Sequence, residues 1–225
     1  MRPSSNLTAR ALKLIELLGP PRSRKTAFDL SLRDWNEIYR TGRYREMWDL
    51  DGPSPGAVVL TALLPPGPGA RLLEIGCGSG ADSIHFARHG YHVTAIDIGE
   101  AALKLARANA KASGVATIKW IKGDIRRLEL PSGDFDLAYD RGCLHCLPFT
   151  DWPVYGNNVH LLLKPKAPLF VFGCGIAESA YFAALTSGSL ACLKPWFSIE
   201  VFDEVQLCAT CGHLKGRFAL LRRLV

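Results

Sequence analysis

Residues 72–80 read Leu-Leu-Glu-Ile-Gly-Cys-Gly-Ser-Gly, an apolar run that passes directly into a glycine-rich turn. The apolar run predicts a short buried β-strand, and the pattern of residues 81–89 predicts a helix after the turn. Glycines let the backbone approach a ligand closely, and the start of a helix offers unpaired N–H groups and partial positive charge. We therefore expect Gly76, Gly78 and Gly80 to form a cofactor-binding loop at the carboxyl end of the strand.

The chain on either side of this loop alternates short apolar runs with helix-like segments. Strands are predicted at residues 71–75, 91–96, 117–121, 135–139 and 169–172, and helices at residues 81–89, 100–112 and 152–163. This alternation is typical of βαβ units, whose strands form a parallel sheet. Residues 178–193 read as a further helix, and two strand-like runs at 199–207 and 218–225 predict a C-terminal β-hairpin. The predicted fold is α/β, a doubly wound, seven-stranded and mostly parallel sheet with one antiparallel strand from the hairpin.

Length and composition limit the class of protein. At 225 residues and 48% hydrophobic composition the chain can bury a core, and no run approaches the ~20 apolar residues that span a bilayer. Seven cysteines, an odd number without a secretory leader, suit reduced thiols in a cytosol-like compartment. The net charge of +6 arises within residues 1–45 rather than along a binding face, which disfavours a nucleic-acid partner. The basic, acid-poor start also resembles an organelle transit peptide, so targeting stays open.

Helical segments precede the sheet. Residues 7–18 and about 31–41 read as helices, and the second carries Trp35 and Tyr39 four positions apart on one face. Proline- and glycine-rich breaks follow at residues 51–56 and 65–69. We predict a helical extension over residues 1–66 and a cofactor-binding domain over residues 67–225.

Three carboxylates stand at predicted strand ends. They are Glu74, Asp97 and Asp124, and together they would form an acidic, hydrogen-bond-accepting cradle for a cation. S-adenosyl-L-methionine is such a cation: Glu74 suits its ammonium, Asp97 a pair of ribose hydroxyls, and Asp124 the adenine amino group. The predicted site also includes Ile98 and Ile125, which follow two of these acids. A nicotinamide dinucleotide is the alternative, because the glycine spacing also satisfies a relaxed dinucleotide fingerprint.

The segment from Leu72 to Asp140 resembles class I S-adenosylmethionine-dependent methyltransferases. The turn Asp140-Arg141-Gly142 resembles the thiopurine S-methyltransferase branch and its bacterial thiol-, tellurite- and halide-methylating relatives. The resemblance, which covers roughly residues 33–172, implies that Asp140 and Arg141 help to form the cofactor site. It also implies that Trp35 and Trp48 belong to a lid that folds over the cofactor. Residues 163–168 depart from the family's usual Leu-Lys-Pro-Gly-Gly turn, and the C-terminal segment matches poorly.

The resemblance implies a small-molecule methyl acceptor with a soft nucleophile, such as a thiol or thiopurine, with Arg141 holding and polarising the reacting groups. Because a thiol often ionises near neutral pH, no dedicated base is required. His145, in the loop that should face the acceptor, makes an O- or N-methyltransferase with a histidine base the first alternative. A non-catalytic cofactor-binding module is the second. The oligomeric state stays open.

Two C-x-x-C pairs raise the question of a metal. They are Cys143–Cys146 and Cys208–Cys211, each near a histidine, and two such pairs can form a zinc site. The first follows the fourth predicted strand and the second lies in the terminal hairpin. At ~4.8 Å per strand the pairs should stand ~14 Å apart, too far to share one ion. We expect no metal site.

Overall fold

The computed structural model describes residues 35–175, 183–209 and 212–225, and for residues 208, 209 and 212–214 it describes the backbone alone. The helix predicted at residues 7–18 lies outside the described residues. The strands are β1 (Arg71–Ile75), β2 (His92–Asp97), β3 (Lys119–Lys122), β4 (Leu137–Arg141), β5 (Pro168–Cys174), β6 (Phe197–Ala209) and β7 (Gly212–Arg223). The helices are α1 (Trp35–Arg40), α2 (Tyr44–Met47), α3 (Pro55–Leu63), α4 (Ala81–Arg88), α5 (Glu100–Ala112), α6 (Trp152–Leu162) and α7 (Ser187–Leu190).

The strands form one seven-stranded sheet in the order β3-β2-β1-β4-β5-β7-β6, in which β7 runs antiparallel to β5 and to β6. The remaining pairings, from β3 across to β5, are parallel. The predicted fold class is confirmed. Chain order reverses beside β1, which pairs with β2 on one side and β4 on the other. Ligands of open α/β sheets bind at such a reversal, outside the carboxyl ends of the strands.

Both faces of the sheet are covered. Leu72 and Leu73, neighbours on β1, belong to different hydrophobic clusters, as alternation along a strand requires. One cluster includes the buried face of α6, where Trp152, Tyr155 and Val159 recur at helical spacing. Burial on both faces explains why these strands read as continuous apolar runs rather than as alternating ones.

Helix α3 belongs to this packed body. Its N-cap residue Ser54 accepts a hydrogen bond from the Ala57 amide at 3.3 Å and is itself bound to Asp82 at the start of α4. Ala57 and Leu60 are buried in the same cluster as Leu72. The predicted domain division between residues 66 and 67 stays a prediction. Helix α3 precedes that division in the sequence but packs on the sheet that follows it.

The C-terminal part differs in length from its prediction. The hairpin is present, and both strands are longer than the predicted runs. Of the helix predicted at 178–193, residues 178–182 lie outside the described residues and residues 183–186 are not helical. Residues 187–193 form α7 and a 3-10 turn at Ala191–Leu193. Thr186 caps α7 by accepting from the Ser189 amide at 2.9 Å, so the helix begins at Ser187, and Pro195 disfavours its continuation.

Among the described residues, no helix combines the length and the apolar character that crossing a membrane needs.

Candidate functional site

A cavity of about 530 Å³ opens at the carboxyl ends of the strands, beside the point where chain order reverses. Its walls come from the loops after β1, β2, β3 and β4, from the end of β5, and from the segment of α1 and α2. Most of the predicted site residues line it, namely Trp35, Trp48, Glu74, Gly76, Gly78, Asp97, Ile98, Asp124, Ile125, Arg141 and His145. The structure does not place Gly80 or Asp140 among the residues of this wall.

Two of the glycines serve different purposes. Gly78 has φ +53°, and a Cβ built on it would run into the hydroxyl of Tyr39, which covers the loop from α1. Gly80 has φ +80°, and a Cβ there would lie 2.8 Å from the Trp120 ring and 2.9 Å from the Ala106 side chain. Gly78 therefore lets the Tyr39 hydroxyl lie directly against the loop, and Gly80 lets the loop pack against α5 and β3.

Asp97 holds the glycine loop in shape. Its Oδ2 accepts from the Gly78 amide at 2.9 Å, and its Oδ1 accepts from the Gly99 amide at 2.8 Å. Burial raises the pKa of Asp97, and the two amide hydrogen bonds oppose that shift. A carboxylate has about four lone-pair positions, so hydrogen bonds to a ligand are compatible with both amide contacts.

Glu74 is buried at the floor of the cavity. Ser83 donates a short hydrogen bond to it, and Asp82 lies close by. Burial, followed by the charge of Asp82, raises the pKa of Glu74 well above its ordinary value. Asp82 itself accepts from the Ser54 amide at 2.6 Å and from its hydroxyl at 2.7 Å. Because burial and the charge of Asp82 disfavour the ionised form of Glu74, a ligand that brings positive charge would be stabilised here.

Asp124 is paired with an arginine that our sequence interpretation missed. Arg126 binds both of its carboxylate oxygens and also reaches Asp151, at the N-terminal end of α6. The hydrogen bonds from Arg126 lower the pKa of Asp124. In the sequence the two residues are only two positions apart, and this spacing by itself belongs to no periodic pattern or motif that would have indicated the pair.

Asp140 and Arg141 are neighbours with different roles. Asp140 is fully buried and accepts from the amides of Cys143 and Leu144, at 2.8 and 3.0 Å, and from the Tyr155 hydroxyl at 2.8 Å. Burial raises the pKa of Asp140 to about 7, although these hydrogen bonds act to lower it. Asp140 therefore shapes the turn after β4, and Arg141 is the residue of the pair that lines the cavity. The predicted contact of Asp140 with the cofactor stays a prediction.

His145 lies in the 3-10 turn Leu144–Cys146 and is 8% exposed. The Cys174 amide donates to its Nδ1 at 3.0 Å. Burial, with a smaller effect of Arg141, lowers the pKa of His145 to about 4. The imidazole is therefore neutral near pH 7, and its basic nitrogen is already engaged.

The α1–α2 segment covers the cavity. The rings of Trp35 and Tyr39 lie 5.7 and 6.0 Å from the ring of Trp48, centroid to centroid, and Trp48 Nε1 donates to the Tyr39 hydroxyl at 3.2 Å. Ser79 Oγ donates to Asp49 Oδ1 at 3.0 Å, which ties this cover to the glycine loop. We call the segment of residues 35–50 the lid.

The cysteine pairs are described in part. Cys143 and Cys146 line the cavity, and burial raises the pKa of Cys143 well above its ordinary value. Cys211 and the side chain of Cys208 lie outside the described residues, so the predicted separation of the pairs stays untested. Within the part of the chain that the structure describes, no three histidine, cysteine or acidic side chains are grouped so as to hold a metal ion.

Residues 72–166 match a family described as a methyltransferase domain. The chain is 35% identical over 119 residues to ubiquinone biosynthesis O-methyltransferase of Pseudomonas aeruginosa UCBPP-PA14, covering 52% of this chain and 50% of that protein. It is 34% identical over 98 residues to trans-aconitate 2-methyltransferase of Deinococcus radiodurans, covering 44% and 36%. The chain thus spans about half, or less, of the length of these curated relatives.

Solved structures share the fold. One, from work on the conversion of a disulfide bond into a thioacetal group during echinomycin biosynthesis, has a TM-score of 0.73 at 24% identity and covers 84% of this chain and 91% of that one. N-methyltransferase NodS from Bradyrhizobium japonicum, in complex with S-adenosyl-L-homocysteine, has a TM-score of 0.63 at 20% identity and covers 97% and 99%. These solved structures show that the chain shares their Rossmann-like fold, and the family match places the similarity to a methyltransferase domain within residues 72–166. The finer resemblance to the thiopurine S-methyltransferase branch stays a prediction.

Proposed function

We propose that this chain, whose residues 72–166 match a methyltransferase-domain family, is an S-adenosylmethionine-dependent methyltransferase that acts on a small molecule. The observation that carries the proposal is the convergence of Glu74, Asp97 and Asp124 on one cavity, next to an open glycine loop. The family match supports the reaction class. The S-adenosyl-L-homocysteine bound to NodS, a protein of the same fold, supports the cofactor.

The cavity fits this cofactor on chemical grounds. When bound, S-adenosyl-L-methionine supplies a methyl group activated on a sulfonium. Asp97, at the end of β2, would accept from the ribose hydroxyls while keeping its two amide contacts, and Glu74 would face the ammonium. Asp124, oriented by Arg126, would accept from the adenine amino group, with Ile98 and Ile125 as apolar neighbours. Ile98 is 48% exposed, unusual for an isoleucine beside a core, which suits a surface that a ligand covers.

The lid and Arg141 complete the site. Arg141 Nη2 lies 3.5 Å from the main-chain oxygen of Trp48, so the end of β4 meets the lid. Closure of the aromatic lid would exclude water from a reaction in which positioning and a dry pocket supply much of the rate enhancement. The rings of Trp35 and Trp48 and the guanidinium of Arg141 are the groups proposed to close and polarise the site.

The acceptor is proposed to be a thiol or a comparable soft nucleophile. His145, the imidazole nearest the acceptor side, uses Nδ1 to bind the Cys174 amide and is neutral near pH 7. A site in which this residue is not a base suits an acceptor that ionises by itself, as thiols do. Phe172, Cys174 and Leu207 give that side of the cavity an apolar, sulfur-containing wall.

An oxygen acceptor is the second candidate. The relatives from Pseudomonas aeruginosa and Deinococcus radiodurans are named as an O-methyltransferase and a trans-aconitate methyltransferase. A carboxylate acceptor is ionised near neutral pH and would also need no base. A phenol would need one, and the hydrogen bond at His145 Nδ1 disfavours that version.

The test is an assay of S-adenosyl-L-homocysteine formation across a panel of thiols, halides, carboxylates, phenols and amines. Turnover of thiols by wild type supports the preferred acceptor class, and loss of that turnover in Asp97→Ala shows that it depends on the proposed cofactor site. Turnover of carboxylates or phenols, but not of thiols, moves the assignment to the oxygen candidate. Binding of S-adenosyl-L-homocysteine by calorimetry with no turnover anywhere on the panel favours a cofactor-binding module. Binding of NADH instead would refute the cofactor.

A further inference from the structure

His145 is packed between the ends of two neighbouring strands. A Cβ built on Gly142, after β4, would lie 3.4 Å from its Nε2, and one built on Gly173, in β5, would lie 3.3 Å from its Cβ. A side chain at Gly173 would press on His145, and one at Gly142 would touch its ring, so the two glycines leave room for His145 at this position. From this position its Nδ1 accepts the amide of Cys174, the last residue of β5.

The same residue also binds the chain that returns toward the sheet after β5. The Ala183 amide donates to the main-chain oxygen of His145 at 3.0 Å, and the Leu185 amide donates to the oxygen of Cys174 at 2.7 Å. His145 therefore contacts the chain on both sides of residues 176–182, at Cys174 and at Ala183. Cys174 is held from two directions, at its N–H by the imidazole and at its oxygen by Leu185.

This hydrogen bond specifies the state of the ring. An amide N–H donates only to a nitrogen with a free lone pair, so Nδ1 is unprotonated and the proton of the neutral ring is on Nε2. With the pKa lowered to about 4, the ring keeps this state across the neutral range. For Nε2 to act as a base, the ring would have to carry its proton on Nδ1 instead. A protonated Nδ1 cannot accept, so the hydrogen bond from the Cys174 amide would be lost.

The acceptor side of the cavity depends on this contact. Seven of the predicted cofactor residues in the wall come from the ends of β1, β2 and β3 or the loops after them, on one half of the sheet: Glu74, Gly76, Gly78, Asp97, Ile98, Asp124 and Ile125. Arg141 at the end of β4 and the lid residues Trp35 and Trp48 are the others. Cys174, Phe172 and His145 come from the other half, beyond β4. A shift of Cys174 would change the wall that faces the acceptor and leave the cofactor loops in place.

We propose that His145 is a positioning residue for the methyl acceptor, which fixes the end of β5 at Cys174 and the chain at Ala183 without exchanging a proton. The inference rests on the proposed methyltransferase function for its kinetic test. Its structural part, the bond to the Cys174 amide, can be tested without turnover.

Three variants separate the roles. In His145→Asn, Oδ1 takes the place of Nδ1 and can accept from the Cys174 amide. In His145→Gln the amide reaches toward the position of Nε2 instead, and His145→Ala has neither group. We expect His145→Ala and His145→Gln to raise the acceptor KM about 10-fold with kcat changed less than 3-fold. His145→Asn should restore most of the KM. The Kd of S-adenosyl-L-homocysteine should change less than 2-fold in all three.

The pH profile of kcat/KM should be the same in His145→Asn as in wild type, including any limb caused by Asp140. If kcat instead falls 100-fold or more in His145→Asn and His145→Ala alike, and a limb of the profile disappears, His145 is a base and the proposal is overturned.

Amide exchange at Cys174, followed by NMR, provides the measurement that needs no acceptor. Exchange should be at least 10-fold faster in His145→Ala than in wild type, and near wild type in His145→Asn. Equal exchange in all variants refutes the positioning role of the bond between His145 and the Cys174 amide, even if turnover is found. Faster exchange in His145→Ala, with no acceptor turned over on the panel, refutes the proposed function but supports that bond.

Discussion

Arg126 binds the carboxylate of Asp124 with two nitrogens, Nε 2.9 Å from Oδ1 and Nη2 2.6 Å from Oδ2, and its third nitrogen reaches Asp151. The loop after β3 is thereby fastened to the start of α6. All three side chains are less than one third exposed, so solvent screens this network less than a surface pair. The orientation of Asp124 at the cavity thus depends on a residue that belongs to no motif.

We predict that Arg126→Gln lowers the free energy of unfolding by about 1–2 kcal/mol at pH 7, since hydrogen bonds to charged groups are lost. The pKa of Asp124 is lowered in the folded state. Its contribution to stability is therefore present above the unfolded value near 3.9 and is lost as pH falls through the folded value. Urea denaturation at pH 7 and near pH 3 should show the difference between variant and wild type shrinking at the lower pH.

Arg127→Gln is the matched control, because Arg127 is adjacent and exposed. An equal loss in Arg127→Gln, or an Arg126→Gln loss that is the same at both pH values, would show that the network does not act through Asp124.

The amide contacts of Asp97 make a graded test of the cofactor site. We predict that Asp97→Ala weakens binding of S-adenosyl-L-homocysteine by about 1.5–3 kcal/mol, because hydrogen bonds to the ribose and the support of the Gly78 amide are both lost. Asp97→Asn keeps one acceptor oxygen and should fall between wild type and Asp97→Ala in calorimetry. Undiminished affinity in Asp97→Ala would remove Asp97 from the cofactor site.

Gly78 and Tyr39 are expected to be coupled. Gly78→Ala should reduce affinity for S-adenosyl-L-homocysteine at least ~10-fold, since the new methyl group meets the Tyr39 hydroxyl and an alanine at positive φ is strained. Adding Tyr39→Phe should recover part of the loss, which a double-mutant cycle measures. Gly69→Ala is the control: it also has positive φ, +73°, with open space around it. Independent effects of the two substitutions, or an equal loss in Gly69→Ala, would contradict the contact.

The parts of the fold that were predicted from sequence are those with a periodic or compositional signal. The buried strand before Gly76 and the amphipathic helix α6 were visible because burial on a fixed face leaves a pattern in the sequence. The short helix α7 was not, because its start depends on a Thr186–Ser189 cap within a stretch that otherwise favours helix.

The candidate site shows the same limit. The resemblance of the Asp140-Arg141-Gly142 turn implied that both Asp140 and Arg141 belong to the cofactor site, and the structure places Arg141 alone of the two in the cavity wall. That depends on the turn after β4, whose amides occupy the Asp140 carboxylate. His145 was predicted in the loop after β4, and the structure places it there, in the cavity wall; its nearness to the acceptor stays a prediction. Its state depends on an amide 29 positions away in sequence, which no local pattern indicates.

Arg141 provides the last prediction, for the reaction itself. It lines the cavity, lies opposite Phe172 in the β4–β5 register and contacts the Trp48 oxygen of the lid. A guanidinium is planar and donates along several directions, whereas a lysine offers a point charge that cannot reproduce those contacts together. We predict that Arg141→Lys lowers kcat/KM at least ~10-fold, about 1.4 kcal/mol of transition-state stabilisation, in the S-adenosyl-L-homocysteine formation assay. Arg45→Lys, an exposed change on the lid, should leave kcat/KM within 2-fold of wild type. Equal activity of the two variants would reduce Arg141 to a turn residue without a part in the reaction.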